Sequence, residues 1–301
     1  MDDRLLRFAR LALAVAERVV PDRTGKFAPR LYRPAQLLAC LLVKERLGLD
    51  HRTAEKVLHA SDGLRSSLGL ARVPDHSTLW RHARHRIGPD LLGDALAETV
   101  RRIEPTPEPR LVALDSTGLW LSCTSWYVAW RARRNRGQRG WLKWALALWT
   151  GPLVLVAQRV RPGPCGDFSD LVLLAGSAHA VLPFDQLVAD AGYDSEANHR
   201  FCRERLRVDS LIPAKRHRSV AVLATTPFRQ EMLRRLAKAG VDPEARRAYG
   251  QRWKAETVMS VVKRKWGDAL SARLEATQRA QALLRGLAYN LDRLIALGCP
   301  A

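Results

Sequence analysis

The chain has 301 residues, 47% apolar and 27% charged, with 50 Lys and Arg against 30 Asp and Glu for a net charge of +20. That length and balance allow one large domain or two smaller ones with a proper core, and exclude a disordered or low-complexity chain. So large a cationic excess favours a polyanionic partner, because each phosphate neutralised releases condensed counterions.

The first 20 residues mix acids and arginines with apolar positions, which predicts an amphipathic helix and not a secretory leader. The longest near-apolar run, 144–157, is interrupted by Thr150-Gly-Pro152 and falls short of the roughly 20 residues that span a membrane. We therefore expect a soluble, cytoplasmic chain with no membrane partner. Cysteines at 40, 123, 165, 202 and 299 form no C-x-x-C pair, which argues against both a disulfide framework and structural zinc.

Residues 1–104 read as helical throughout. Pro34 opens an apolar helix that stops near Gly48, and HRTAEKVLHA makes the next. After a turn-rich link, Ser77 is the expected N-cap of a helix carrying Arg81, His82, Arg84, His85 and Arg86 outward, with Leu79 and Ala83 inward. Such a face suits DNA, and we assign Arg81 and Arg84 to phosphate contact. His76, His82 and His85 are read as surface groups. Pro105-Thr-Pro107-Glu-Pro109 forbids helix and sets a linker at 105–110, between a helical DNA-binding domain (1–104) and a second domain (111–301).

In the second domain the period shortens. LVALDSTGL and LWLSCTSW read as strands joined at Gly118, then WLKWALALW and LVLVAQRV follow as a meander. Between them, 126–144 holds six cations, four Trp and no acid. It predicts an exposed loop in which Arg131, Arg133, Arg134, Arg136, Arg139 and Lys143 grip backbone phosphates. A helix over 168–180, a strand LVADAGY, a helix over 195–206, a strand VDSLIPA, a long helix with Glu256 and a closing helix near 272–297 complete the chain. Strands first, then strand and helix in alternation, make an α/β (α+β) mixed sheet of ribonuclease H-like order.

Three acids stand out in that order: Asp115 on the first strand, Asp190 at the end of the fourth, and Glu256 on the crossing helix. They are 75 and 66 residues apart but converge in such a fold. Mg2+ is a hard ion that prefers carboxylate oxygens, and two such ions can serve an in-line displacement at phosphorus. Asp194, Glu196 and Asp209 are alternatives for the second position, and Asp194 also reads as a helix cap. Tyr249, Arg252, Glu256 and Lys263 fall on one face of a helix.

That helix resembles the Y-x2-R-x3-E-x6-K signature of bacterial insertion-sequence transposases of the DDE type. LDSTGL and DAGYDSE resemble the family's two aspartate motifs, and P-D-x-S-T-x-x-R at 74–81 its N-terminal domain. The resemblance implies cleavage at element ends and strand transfer into target DNA. Asp115, Asp190 and Glu256 would hold two Mg2+ ions, with Mn2+ as a substitute. Tyr249, Arg252 and Lys263 would contact double-stranded DNA, both terminal inverted repeats and target, in a homodimeric synaptic complex at the nucleoid. Some relatives carry a large β insertion before the glutamate helix, where this chain has only about 35 residues between Pro213 and Tyr249. A ribonuclease H-like nuclease and a non-catalytic DNA-binding derivative are the alternative readings.

Overall fold

A computed structural model describes residues 3–22, 31–104, 109–122, 140–215, 226–236 and 242–300. It divides into two compact units, one of residues 1–104, 119–140 and 262–301, the other of residues 105–118 and 141–261. The sequence suggested one body over 111–301. Of the described residues beyond 111, 119–122, 140 and 262–300 fall in the unit that holds the N-terminal helices.

The helical unit contains α1 (Asp3–Val19), α2 (Pro34–Arg46), α3 (His51–Ala60), α4 (Asp62–Ser67), α5 (His76–His85), α6 (Pro89–Arg101) and the closing helix α12 (Glu275–Ala296). Pro34 takes the first turn of α2, where its missing N–H is no loss, and Gly48 turns the chain beyond it at φ 66°. Helix α2 is buried from Pro34 to Glu45 and so forms the centre of this unit. The closing helix joins it through polar pairs that no local pattern announces. Arg285 donates to buried Glu45 (3.0 Å) and to the carbonyls of Gly267 and Ala269. Arg46 reaches Asp292 (3.0 Å), and Asn290 donates to Thr99 Oγ1 (2.8 Å). Strand β6 (Ala269–Leu270) pairs in parallel with Trp120 and Leu121.

The other unit is built on a sheet of order β3-β2-β1-β4-β5, with β1 at Leu111–Leu121, β2 at Trp141–Trp149, β3 at Val154–Pro162, β4 at Gln186–Val188 and β5 at Asp209–Leu211. Strands β2 and β3 are antiparallel, while β4 and β5 lie parallel to β1 and to each other. The sheet is therefore mixed. Strand β1 does not turn at Gly118, as the sequence suggested, but runs straight through it. A Cβ there would lie 3.3 Å from the Trp141 ring, so the glycine serves close approach and not a turn. Helix α7 (Leu171–Val181) packs on β2 and β3 through Leu171, Leu174, Ala175 and Ala178. Residues 196–206 form helix α8 (Glu196–Arg200) and a π turn.

The expected single helix from Tyr249 to Lys263 is two. Helix α9 (Pro227–Arg235) precedes α10 (Pro243–Gly250), and α11 runs over Trp253–Trp266. At the joint, Arg252 N bonds Tyr249 O (3.1 Å) and Ala255 N bonds Arg252 O (3.0 Å), three residues back instead of four. Gly250 is a weak helix former, costing about 1 kcal/mol against Ala, and it sits where the ladder tightens.

Candidate active site

Asp115 projects from the middle of β1, with its side chain 14% exposed. Its Oδ1 accepts from Ser116 N (2.8 Å). Burial pushes its carboxyl up to about 6. The Ser116 N–H and Arg252 oppose that rise, while the charges of Asp190 and Glu256 add to it. Asp190 stands just past β4, where its Oδ1 accepts from Gly192 N (2.7 Å) and caps a single turn over Ala191–Tyr193. Glu256 lies in the first turn of α11 with its side chain 55% exposed.

One guanidinium serves two of these acids. Arg252 Nη2 is 2.6 Å from Glu256 Oε1, and Nη1 is 3.8 Å from Asp115 Oδ2. Acids far apart in sequence thus act on one another in space, with a single cation shared between Asp115 and Glu256. The ligand oxygens of the three do not all fall within 4.8 Å of one another.

The alternative acids near the second position each have partners of their own. Asp194, the nearest alternative to Asp190, is 0% exposed and held by Arg229 (Nη2 2.8 Å, Nε 2.9 Å) and by Lys215 N (2.8 Å). Asp209 is bound by Arg203 and Arg235, and Glu196 accepts from two backbone amides of α9. Lys143 corrects the sequence reading. It lies within β2, 3% exposed, with Nζ 2.5 Å from Asp167 Oδ1 and 2.9 Å from Asp170 Oδ2. An ammonium locked between two carboxylates is not available to a phosphate. Its position inside an apolar strand was the signal, since a buried Lys needs a partner.

The transposase DDE domain model matches residues 106–291, more than half of the chain. The chain belongs to the DDE transposase family. No curated protein matches it. The matched segment contains Asp115, Asp190 and Glu256, and the mixed sheet with a helical N-terminal region is consistent with the family's ribonuclease H-like fold.

DDE transposase domains generally use divalent metal, and this site fits one. Its donors are carboxylate oxygens, which suit a hard cation. Asp190 Oδ1 approaches Gly192 so closely that a Cβ there would clash with it at 2.8 Å, so the glycine lets this acid keep its backbone hydrogen bond. A second cluster, Glu55, Asp75 and His76, brings its ligand atoms within 4.8 Å, but in the helical unit. There, His76 N and Nδ1 already bond Glu55 Oε2 (3.0 and 2.8 Å), and Asp75 Oδ1 caps α5 through Ser77 N (2.7 Å). That cluster closes a helix end.

The residues expected at DNA divide. Asp75, not Ser77, is the N-cap of α5, and Arg81 and Arg84 are exposed on that helix, with the Arg84 guanidinium 5.1 Å from the Trp80 ring centroid. His82 is buried and so leaves the surface set. Tyr249 is half-buried on α10. Lys263 lies in the last turn of α11 beside Arg264 and Lys265. Arg131, Arg133, Arg134, Arg136 and Arg139 lie outside the described residues.

Proposed function

We propose that this transposase-family protein cuts DNA at the ends of its element and joins the freed 3′ ends to target DNA. The observation that carries this reading is the Arg252 bridge between Asp115 and Glu256, with Asp190 close enough to raise the Asp115 carboxyl. A structural acid recruits its own cation, whereas Asp115 and Glu256 share one. Asp115, on the rigid strand, would hold both Mg2+ ions, with Asp190 and Glu256 taking one each and Mn2+ as a substitute. When bound, the ions lower the pKa of an attacking water and stabilise the leaving oxygen. Arg252, Tyr249 and Lys263 would contact DNA at the element end. Arg81, Arg84 and the arginines of 131–139 hold the backbone of double-stranded DNA, and two copies pair two ends.

The test is incubation of the purified protein with labelled DNA from its own flanking locus, in Mg2+ or EDTA, beside Glu256→Gln. Metal-dependent cuts at defined ends, with joined products and none from the variant, are expected. Cuts without joined products would reduce the activity to that of a nuclease. Tight binding without cutting would leave a DNA-binding protein.

A further inference from the structure

We propose that the helical unit holds a binding site for a nucleotide, an aromatic base carrying a phosphate, in a cavity walled by α2, α5, the start of α3 and the approach to α12. The site is separate from the carboxylate centre and does not depend on the metal reading. The cavity measures about 580 Å³, within the range of small-ligand pockets. Leu41, Ala83 and Leu284 give it apolar walls, and the exposed Trp80 ring lines it as well. Trp80 also lines a second space of about 450 Å³, which shares His51 and Arg273 with the first. An exposed indole beside open volume is a stacking surface for a base.

Three further features of the lining suit an anion beside that apolar surface. Lys44 is only 9% exposed, yet among the described residues its Nζ meets one acceptor, Glu45 Oε2 at 3.4 Å. Glu45 is already bound by Arg285 through its other oxygen (3.0 Å), so this buried ammonium is poorly compensated and has N–H donors left for a ligand. The 22-residue helix α12 begins at the cavity, and its N-cap, Leu274, offers no side-chain bond, so its first amides have no acceptor within the helix. His51 Nε2 is buried without a hydrogen-bond partner. Burial, and then the Lys44 charge, pulls this imidazole down to about 4, which leaves it neutral at pH 7 and open to a hydrogen bond. Arg84 and Arg273 add two cations to the lining, while its remaining acid, Asp50, is engaged as the N-cap of α3. A phosphate at the start of α12, with its base against Trp80, answers the uncompensated cation, the open helix end and the exposed ring together.

The experiment is calorimetric titration of the full-length protein with deoxyadenosine 5′-monophosphate, comparing wild type with Trp80→Ala, Arg273→Gln and Ala83→Leu. Trp80 and Arg273 are exposed, so their variants should keep the wild-type melting temperature. Ala83→Leu keeps every charge and fills part of the cavity. Each variant is expected to bind the nucleotide about tenfold more weakly, through a lost stacking surface, a lost charged donor or lost space. Deoxyadenosine and inorganic phosphate, added separately, should also bind about tenfold more weakly than the nucleotide. No binding by wild type, or wild-type affinity in any folded variant, overturns the site. Inorganic phosphate bound as tightly as the nucleotide overturns the place for a base. A short single-stranded oligodeoxynucleotide then separates the sources: displacement of the nucleotide assigns the site to a nucleotide within DNA, and binding that it does not displace assigns the site to a free nucleotide.

Discussion

Two acid clusters in the sheet-bearing unit differ in how their negative charge is met. At the corner of β2, β3 and α7, Asp170 is 1% exposed and bound by Lys143 (2.9 Å), Arg159 (3.1 Å) and Arg161 (2.7 Å). At the middle of β1, the end of β4 and the start of α11, Asp115, Asp190 and Glu256 lie together, with Arg252 between Asp115 and Glu256. The first cluster has more cations than it needs and holds segments together. The second has fewer, and its surplus negative charge is what a divalent ion would bind.

The comparison can be broken from either side. Asp115→Asn, Asp190→Asn or Glu256→Gln should each reduce strand cleavage by about a thousandfold or more. That corresponds to losing several kcal/mol of charge stabilisation at 1.36 kcal/mol per decade. Chemical denaturation and DNA binding should stay near wild type, and retained cleavage in one variant would remove that residue from the centre. Asp170→Asn should do the reverse. Lys143 keeps Asp167, but taking the shared carboxylate from Arg159 and Arg161 should lower unfolding stability by about 3 kcal/mol, measured in urea, and an unchanged midpoint would mean the corner is not structural.

A smaller effect concerns buried groups that shed charge instead of pairing. Burial pulls His82 and His199 down to about 4 in the folded chain. The unfolded chain takes up these protons from about pH 6.5 downward, so stability is full above that pH and declines toward pH 4. At pH 5 the loss should be on the order of 2 kcal/mol per histidine. Urea midpoints at pH 7 and pH 5 test this, and equal stability at the two would contradict it. The smallest effect is graded: each arginine of 131–139 replaced by Gln should flatten the salt dependence of DNA binding by about 0.9 units of log slope. Slopes that do not change would return that segment to an ordinary solvated stretch.

How much of this was legible in the sequence follows from range. The helical first 104 residues, the order of the strands and the motifs holding the three acids rest on local period and short motifs, and all could be read along the chain. Asp190 could be preferred to Asp194 from position, but the Arg229 clamp that occupies Asp194 spans 35 residues and was not legible. Lys143 was misread because its partners, Asp167 and Asp170, stand beyond the next strand. The straight run through Gly118 depends on a neighbouring ring, and the grouping of the closing helix depends on pairs such as Glu45 with Arg285. The break at Gly250 was visible in composition, and the regular spacing of Tyr249, Arg252, Glu256 and Lys263 concealed it.

The most direct test sets two neighbouring aspartates against each other. Asp190→Asn and Asp194→Asn would be assayed with locus DNA in Mg2+, with urea unfolding measured in parallel. The account expects Asp190→Asn to fold and bind DNA like wild type but not to cut, and Asp194→Asn to lose stability because Arg229 is left unpaired. Cutting at the wild-type rate by a folded Asp190→Asn protein would contradict it.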